Sequence, residues 1–177
     1  MIETNITDPG FALTIRWSLA LVFLLAVVHK LKAPAVFRAT MKNYRLLPDG
    51  LLTLLVYTII TAELLVVVAL LANSRLGSGI AAGLFAVYTL AISINLIRGR
   101  RDIDCGCSGP AVRETLSAWL VIRNFGLLAA ALLTVPPSNP RPLMLLDWFT
   151  SVAAVVTFML LYFTATYLST TYARFGH

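Results

Sequence analysis

Five apolar runs dominate this chain, roughly Phe11–Val28, Leu51–Ala72, Gly77–Leu96, Thr115–Val135 and Asp147–Leu168. Each is long enough, or nearly so, to cross the bilayer, which takes about 20 residues of α-helix. Lipid offers no partner to backbone N–H and C=O groups, so a spanning segment must close its hydrogen bonds internally. The runs are therefore predicted helices, and the fold class is all-α, an integral membrane protein with about five transmembrane helices. Composition agrees: 59% of residues are apolar and 12% charged, against about 45–50% and about 25% in soluble domains. Strong punctuation separates the runs, with LLPDG before the second, ANSRLGSG before the third and VPPSNPRP before the fifth. The length suits a single membrane-embedded helical domain over residues 1–177. Ahead of the first run, MIETNITDPG is acidic and lacks a clear small-residue cleavage site, so no cleaved signal is expected. The net charge of +6 does not point to nucleic acid, because the basic residues sit mostly in short loops between apolar runs.

The first loop carries its own pattern. Arg38, Lys42 and Arg45 recur at i, i+4, i+7, and Phe37, Met41 and Tyr44 do the same on an adjacent face. That spacing predicts an amphipathic helix too short to span, lying at the interface or capping the bundle. In the third run, Gly79 and Gly83 form a small-xxx-small pair that permits close helix contact or is merely tolerated in lipid.

Three charges fall inside apolar runs: Arg16, Glu63 and Arg123. An intramembrane charge is expensive, so it usually faces the bundle interior and has a partner. At about 1.5 Å per residue, Glu63 lies roughly 18 Å below the side that holds the loop after the third run. Arg123 lies about 12 Å below that side, and Arg16 about 9 Å from the opposite one. Glu63 is therefore expected to pair with Arg16 or Arg123. Such a pair either fixes helix register or forms one wall of a ligand pocket, with Asn124 and Trp119 nearby.

Both cysteines of the chain, Cys105 and Cys107, sit in RRDIDCGCSGP between the third and fourth runs. The flanking Asp102, Asp104, Ser108 and Pro110 describe a polar turn rather than a core, which argues against an inert buried pair. A metal would find two thiolates here, half of a tetrahedral set, with His29 and His177 as the available histidines. A structural disulfide would close so short a loop that it restrains little of the unfolded chain. Redox exchange remains: a ring closed between residues i and i+2 is strained, and strained disulfides are the more oxidising ones. Gly106 supplies the backbone freedom that such a ring needs.

HKLKAPAVFRATMKNYRLLP after the first helix, ITAELLVVVALL in the second and DIDCGCSG between the third and fourth resemble the methylamine-utilisation MauE family. That family falls within a wider DoxX-like and vitamin K epoxide reductase-like group, and the resemblance covers essentially the whole chain. It implies a four-helix bundle core like that of vitamin K epoxide reductase. It also implies a thiol-disulfide oxidoreductase, with Cys105 and Cys107 catalytic, that reoxidises a thioredoxin-like, MauD-type partner. Electrons would pass to a membrane quinone of the ubiquinone or menaquinone type, held by Trp119, Arg123, Asn124 and Glu63. The small subunit of methylamine dehydrogenase would be the indirect client. The chain departs from the wider group in having Cys-x-Cys rather than Cys-x-x-Cys, and no cysteine pair in the first loop. A separate protein would then deliver the electrons. The competing expectation is a non-catalytic scaffold that anchors a maturation complex.

Charge and chemistry disagree about sidedness. Lys30, Lys32, Arg38, Lys42 and Arg45 in the first loop share a side with Arg98, Arg100, Arg101 and Arg113, whereas the other side has little beyond Arg75 and Arg141. The positive-inside rule would place the cysteines in the cytoplasm. Disulfides persist in the periplasm. The expectation follows the disulfide: a multi-pass protein of the bacterial inner membrane with its cysteine loop facing the periplasm.

Overall fold

Asp8 starts the first helix by accepting the Gly10 amide at 2.8 Å, with Pro9 at the first helical position. A proline there loses only an N–H that the helix would leave unpaired anyway. The structure, a computed structural model, describes residues 7–46, 48–100, 103–105, 115–138 and 141–175, the last few by backbone alone. Cys107, the pairing expected between Cys105 and Cys107, and His177 lie outside the described residues.

Among the described residues six α-helices follow one another: α1 Pro9–Lys32, α2 Pro34–Tyr44, α3 Leu52–Leu71, α4 Arg75–Ile97, α5 Ala118–Leu133 and α6 Leu145–Phe175. Four of the apolar segments, α1, α3 with its leading 3-10 turn, α4 and α6, are long and apolar enough to cross a membrane. α5 is apolar but only 16 residues, about 24 Å of helix. The fourth apolar run thus becomes helical three residues later than its hydropathy suggests. Thr115 pairs with Asp104 in an antiparallel bridge, and the Leu116 amide donates to the Ile103 carbonyl at 3.0 Å. Those extended residues tie the two ends of the cysteine segment together before α5 begins.

The turns are written locally. Pro34 has no N–H and disfavours helical geometry at Ala33, so α1 stops and α2 leaves in a new direction. At the end of α3, Asn73 adopts a left-handed φ of 56°, the Ser74 amide donates to Ala69, and the Asn73 amide donates to Leu70. The same double closure ends α4 at Gly99 (φ 74°), with Arg100 bonded to Asn95 and Gly99 to Leu96. Both are Schellman ends, and Gly and Asn are the residues that tolerate their left-handed position.

α1, α3, α4 and α5 form the bundle, meeting in one buried cluster that includes Phe23, Leu70, Phe85 and Leu127. α6 packs against α1, with the Trp17 and Trp148 rings 5.5 Å apart, and leaves most of its surface exposed. Lipid is as apolar as leucine, so such helices associate through close packing and polar contacts. Gly77 is the close contact: a Cβ there would lie 2.8 Å from the Ala69 carbonyl carbon. Gly79 and Gly83 have nothing within 4 Å of that position, so the small-residue pair visible in the sequence is not where the helices touch.

α2 caps the bundle rather than floating beside it. Phe37 and Tyr44 are buried against it, while Arg38 and Arg45 stay exposed. At the opposite end Arg141 clamps the start of α1 to α6, reaching Asp8 at 2.9 Å and Asp147 at 2.8 Å.

Candidate functional site

On α1 the residues Arg16, Ala20, Phe23, Val27 and Lys30 are all buried and recur at i, i+4, i+7, i+11, i+14. One stripe of the helix therefore carries a cation at each end into the bundle. Lys30 is the partner of Glu63: its ammonium bonds to Glu63 Oε1, and the two side chains are 4% and 1% exposed. The Tyr88 hydroxyl donates to the same oxygen at 2.6 Å. The Lys30 nitrogen also lies 5.0 Å from the Phe37 ring centre and 5.5 Å from that of Tyr88. Neither expected arginine fills this role.

Arg16 instead binds the far end of the bundle. It donates to Ser78 Oγ at 3.3 Å, to Asn73 through both its carbonyl and its side chain, and to the Thr134 carbonyl at 2.7 Å. Asn73 and Thr134 end α3 and α5, where carbonyls lack helical partners and the helix dipole attracts a cation. Arg123 points sideways between α5 and α6. Its guanidinium lies 5.5 Å from the Tyr162 ring centre and reaches Thr166 Oγ1 at 3.5 Å. Counting residues gives depth in the membrane but not direction around the helix, and direction decided all three partners.

The Lys30–Glu63–Tyr88 group stands between two chambers. The larger, about 360 Å³, lies between α1, α3, α4, α5 and α6 and is lined by Glu63, Arg123 and Asn124 together with aromatic residues such as Phe85 and Tyr162. A smaller one, about 170 Å³, lies under α2 and is lined by Met41, Tyr44, Ile92 and Cys105. Lys30 and Tyr88 line both. Trp119 lines neither, so the expected pocket assembles three of its four residues. Sequence reasoning missed Lys30 and Tyr88, and the α1 stripe was the available signal for Lys30.

Cys105 is 3% exposed and sits in an apolar cluster with Tyr44, Ile92, Leu116 and Leu120. The polar, exposed setting expected for the cysteine turn therefore does not hold for this sulfur. Asp104 and Thr115 hold the segment in place, and the Tyr44 hydroxyl, from α2, donates to the Cys105 carbonyl at 3.4 Å. Cys105 thus faces the inside of the bundle from its capped end.

Comparison with known proteins places this architecture. A family model described as Methylamine utilisation protein MauE matches residues 9–136, from α1 through the end of α5. The Methylamine utilization protein MauE of Paracoccus versutus is 34% identical over 98% of this chain and 95% of its own length. Its counterpart in Paracoccus denitrificans is 33% identical, covering 91% and 88%. In Methylophilus methylotrophus the corresponding protein is 30% identical, covering 93% and 88%. No solved structure matches the chain. With an all-helical membrane bundle, a family match across five of its six helices and relatives aligned over nearly the whole length, the chain belongs to the methylamine utilisation protein MauE family.

Proposed function

We propose that this protein serves methylamine utilisation as a membrane thiol-disulfide oxidoreductase, reoxidising a thioredoxin-like, MauD-type partner and passing the electrons to a membrane quinone. The observation that carries the reading is the position of Cys105, buried on the wall of an apolar chamber that Lys30 and Tyr88 also line. A quinone fits the residues present: a ring-sized apolar space beside a sulfur, and a larger aromatic-lined space that shares Lys30 and Tyr88 with it and has a buried carboxylate on its wall. Bound there, a ubiquinone- or menaquinone-type ring supplies a two-electron, two-proton acceptor. Lys30 and Tyr88 would orient it from the smaller chamber, and Glu63, Arg123 and Asn124 from the larger. Glu63 holds both Lys30 and Tyr88 in place through one oxygen.

The partner's dithiol would reduce a Cys105–Cys107 disulfide. One partner thiolate attacks a sulfur of the pair, the ring opens, and a mixed disulfide forms. The second partner thiolate then displaces it, leaving the partner oxidised and Cys105 and Cys107 as two thiols. The pair returns to the disulfide by releasing two electrons and two protons inward. Because Cys105 is covered by α2, exchange with a protein from outside falls to Cys107. A single-cysteine partner whose thiol is activated as a thiopyridyl disulfide should therefore be captured as a mixed disulfide by Cys105→Ser protein, with thiopyridone as the leaving group, and not by Cys107→Ser protein. Trapping on neither variant would remove the exchange step.

The proposed location is the bacterial inner membrane with the capped end in the periplasm, where the disulfide persists. Lys30, counted among the loop charges, is withdrawn into the bundle by Glu63. This reduces the basic excess on the cysteine side without reversing it. The methylamine dehydrogenase small subunit would then be the client reached through the partner. A second reading, a non-catalytic scaffold, draws on the exposed Arg38 of α2 and Arg45 just after it, basic groups fit to dock an acidic protein. It requires that both serine variants leave client maturation intact.

A further inference from the structure

Two acceptor oxygens on the wall of the larger chamber have no donor among the described residues. Glu63 takes Lys30 and Tyr88 on Oε1, while its Oε2 is buried and has no hydrogen-bond partner among the described residues. Asn124, 3% exposed, donates its amide N–H to the Leu120 carbonyl at 3.0 Å. A carbonyl only accepts, so that bond fixes the nitrogen on the Leu120 side and leaves the Asn124 oxygen without a donor among the described residues. Buried polar atoms are nearly always satisfied, by protein, water or ligand. Two orphan acceptors on one aromatic-lined cavity of about 360 Å³ therefore describe a complement for hydroxyl groups.

We propose that this chamber selects the reduced, hydroxyl-bearing form of an aromatic ring, a hydroquinone, over the corresponding quinone. A hydroquinone donates two O–H groups, to Glu63 Oε2 and to the Asn124 oxygen. Quinone oxygens only accept and leave both atoms unsatisfied. The proposal rests on the quinone-linked reading and adds a direction to it. Tighter binding of the reduced form by about tenfold raises the effective potential of a two-electron couple by about 30 mV, which draws electrons away from the cysteine pair.

The test uses the full chain in lipid nanodiscs without oxygen. Equilibrium binding is measured for a short-chain 1,4-hydroquinone, its quinone and its dimethyl ether, which keeps the shape but has no donor. The hydroquinone should bind about tenfold more tightly than either of the others. Asn124→Leu, away from the ion pair, should lower hydroquinone affinity severalfold and quinone affinity far less, so that the preference shrinks. Glu63→Gln should do the same where the bundle survives it. Equal affinities for the three probes would mean that water alone satisfies the two acceptors and would overturn the proposal. So would a preference that persists undiminished in Asn124→Leu. The two levels separate: equal affinities beside intact dithiol-driven quinone turnover sink only this inference. A tenfold preference in a protein that turns over no quinone supports the site and sinks the oxidoreductase reading.

Discussion

Removing Glu63 strands a buried ammonium. Its side chain is 1% exposed, and Oε1 holds both the Lys30 ammonium and the Tyr88 hydroxyl. Deleting one member of a buried ion pair typically costs about 3–5 kcal/mol, because the other charge stays buried and unpaired. Glu63→Ala is therefore expected to destabilise the bundle by about 3–5 kcal/mol. Lys30→Met should cost less, since the carboxylate keeps its hydrogen bond from Tyr88. Replacing both, as Lys30→Met with Glu63→Leu, removes both charges and should recover much of the loss. Unfolding in mixed micelles, run as a double-mutant cycle, reads the coupling directly. Residues in contact couple by about 0.5–3 kcal/mol, and this pair should sit near the top of that range. Coupling of Glu63 to Arg16 or Arg123 in place of Lys30, or no coupling at all, would refute the geometry.

Three further outcomes are expected. Gly77→Ala should destabilise by about 1–3 kcal/mol through overpacking against the Ala69 backbone, whereas Gly79→Ala and Gly83→Ala, with open space around them, should be neutral or gain up to about 1 kcal/mol of helix propensity; micelle unfolding compares the three. Arg16→Met should loosen the end of the bundle opposite α2, seen as faster hydrogen exchange near Asn73 and Thr134, with little change at Cys105. At the Arg141 clamp, desolvation pushes the Asp8 carboxyl up, but hydrogen bonds from Arg141 and the Gly10 amide, with the charge of Arg141, outweigh it and hold the carboxyl below its ordinary value. A depressed carboxyl gives stability that is present above about pH 4 and lost as pH falls through the folded value; Arg141→Gln should flatten that acid limb of a thermal unfolding series.

The helices were legible because run length and lipid leave a chain few options. α2 was legible because charge and apolar residues each repeat at helical spacing within eleven residues. The start of α5 was not, since Thr115–Ser117 continue an apolar run and only their pairing with the cysteine segment makes them extended. Lys30 was hidden by its neighbours. It stands next to His29, Lys32 and Pro34 and reads as a loop charge, although the stripe from Arg16 through Phe23 and Val27 carries it inward. Gly79 and Gly83 show why spacing alone misleads: it identifies a face of α4, while contact depends on what stands opposite, and Ala69 stands opposite Gly77. Glu63, Arg123 and Asn124 do share a cavity, as depth suggested, but Trp119 lies one turn nearer the helix start and outside it.

The central claim is that Cys105, inside the bundle, links an external dithiol to a quinone through Cys107. Its most direct measurement is electron stoichiometry in purified protein held in nanodiscs, supplied with a reduced thioredoxin-like partner and a short-chain quinone. One quinol should appear for each partner dithiol oxidised, and Cys105→Ser and Cys107→Ser should each abolish it while the protein still inserts and folds. Quinol formed at the normal rate by either serine variant, or none formed by the unaltered protein with a partner it binds, would contradict the account.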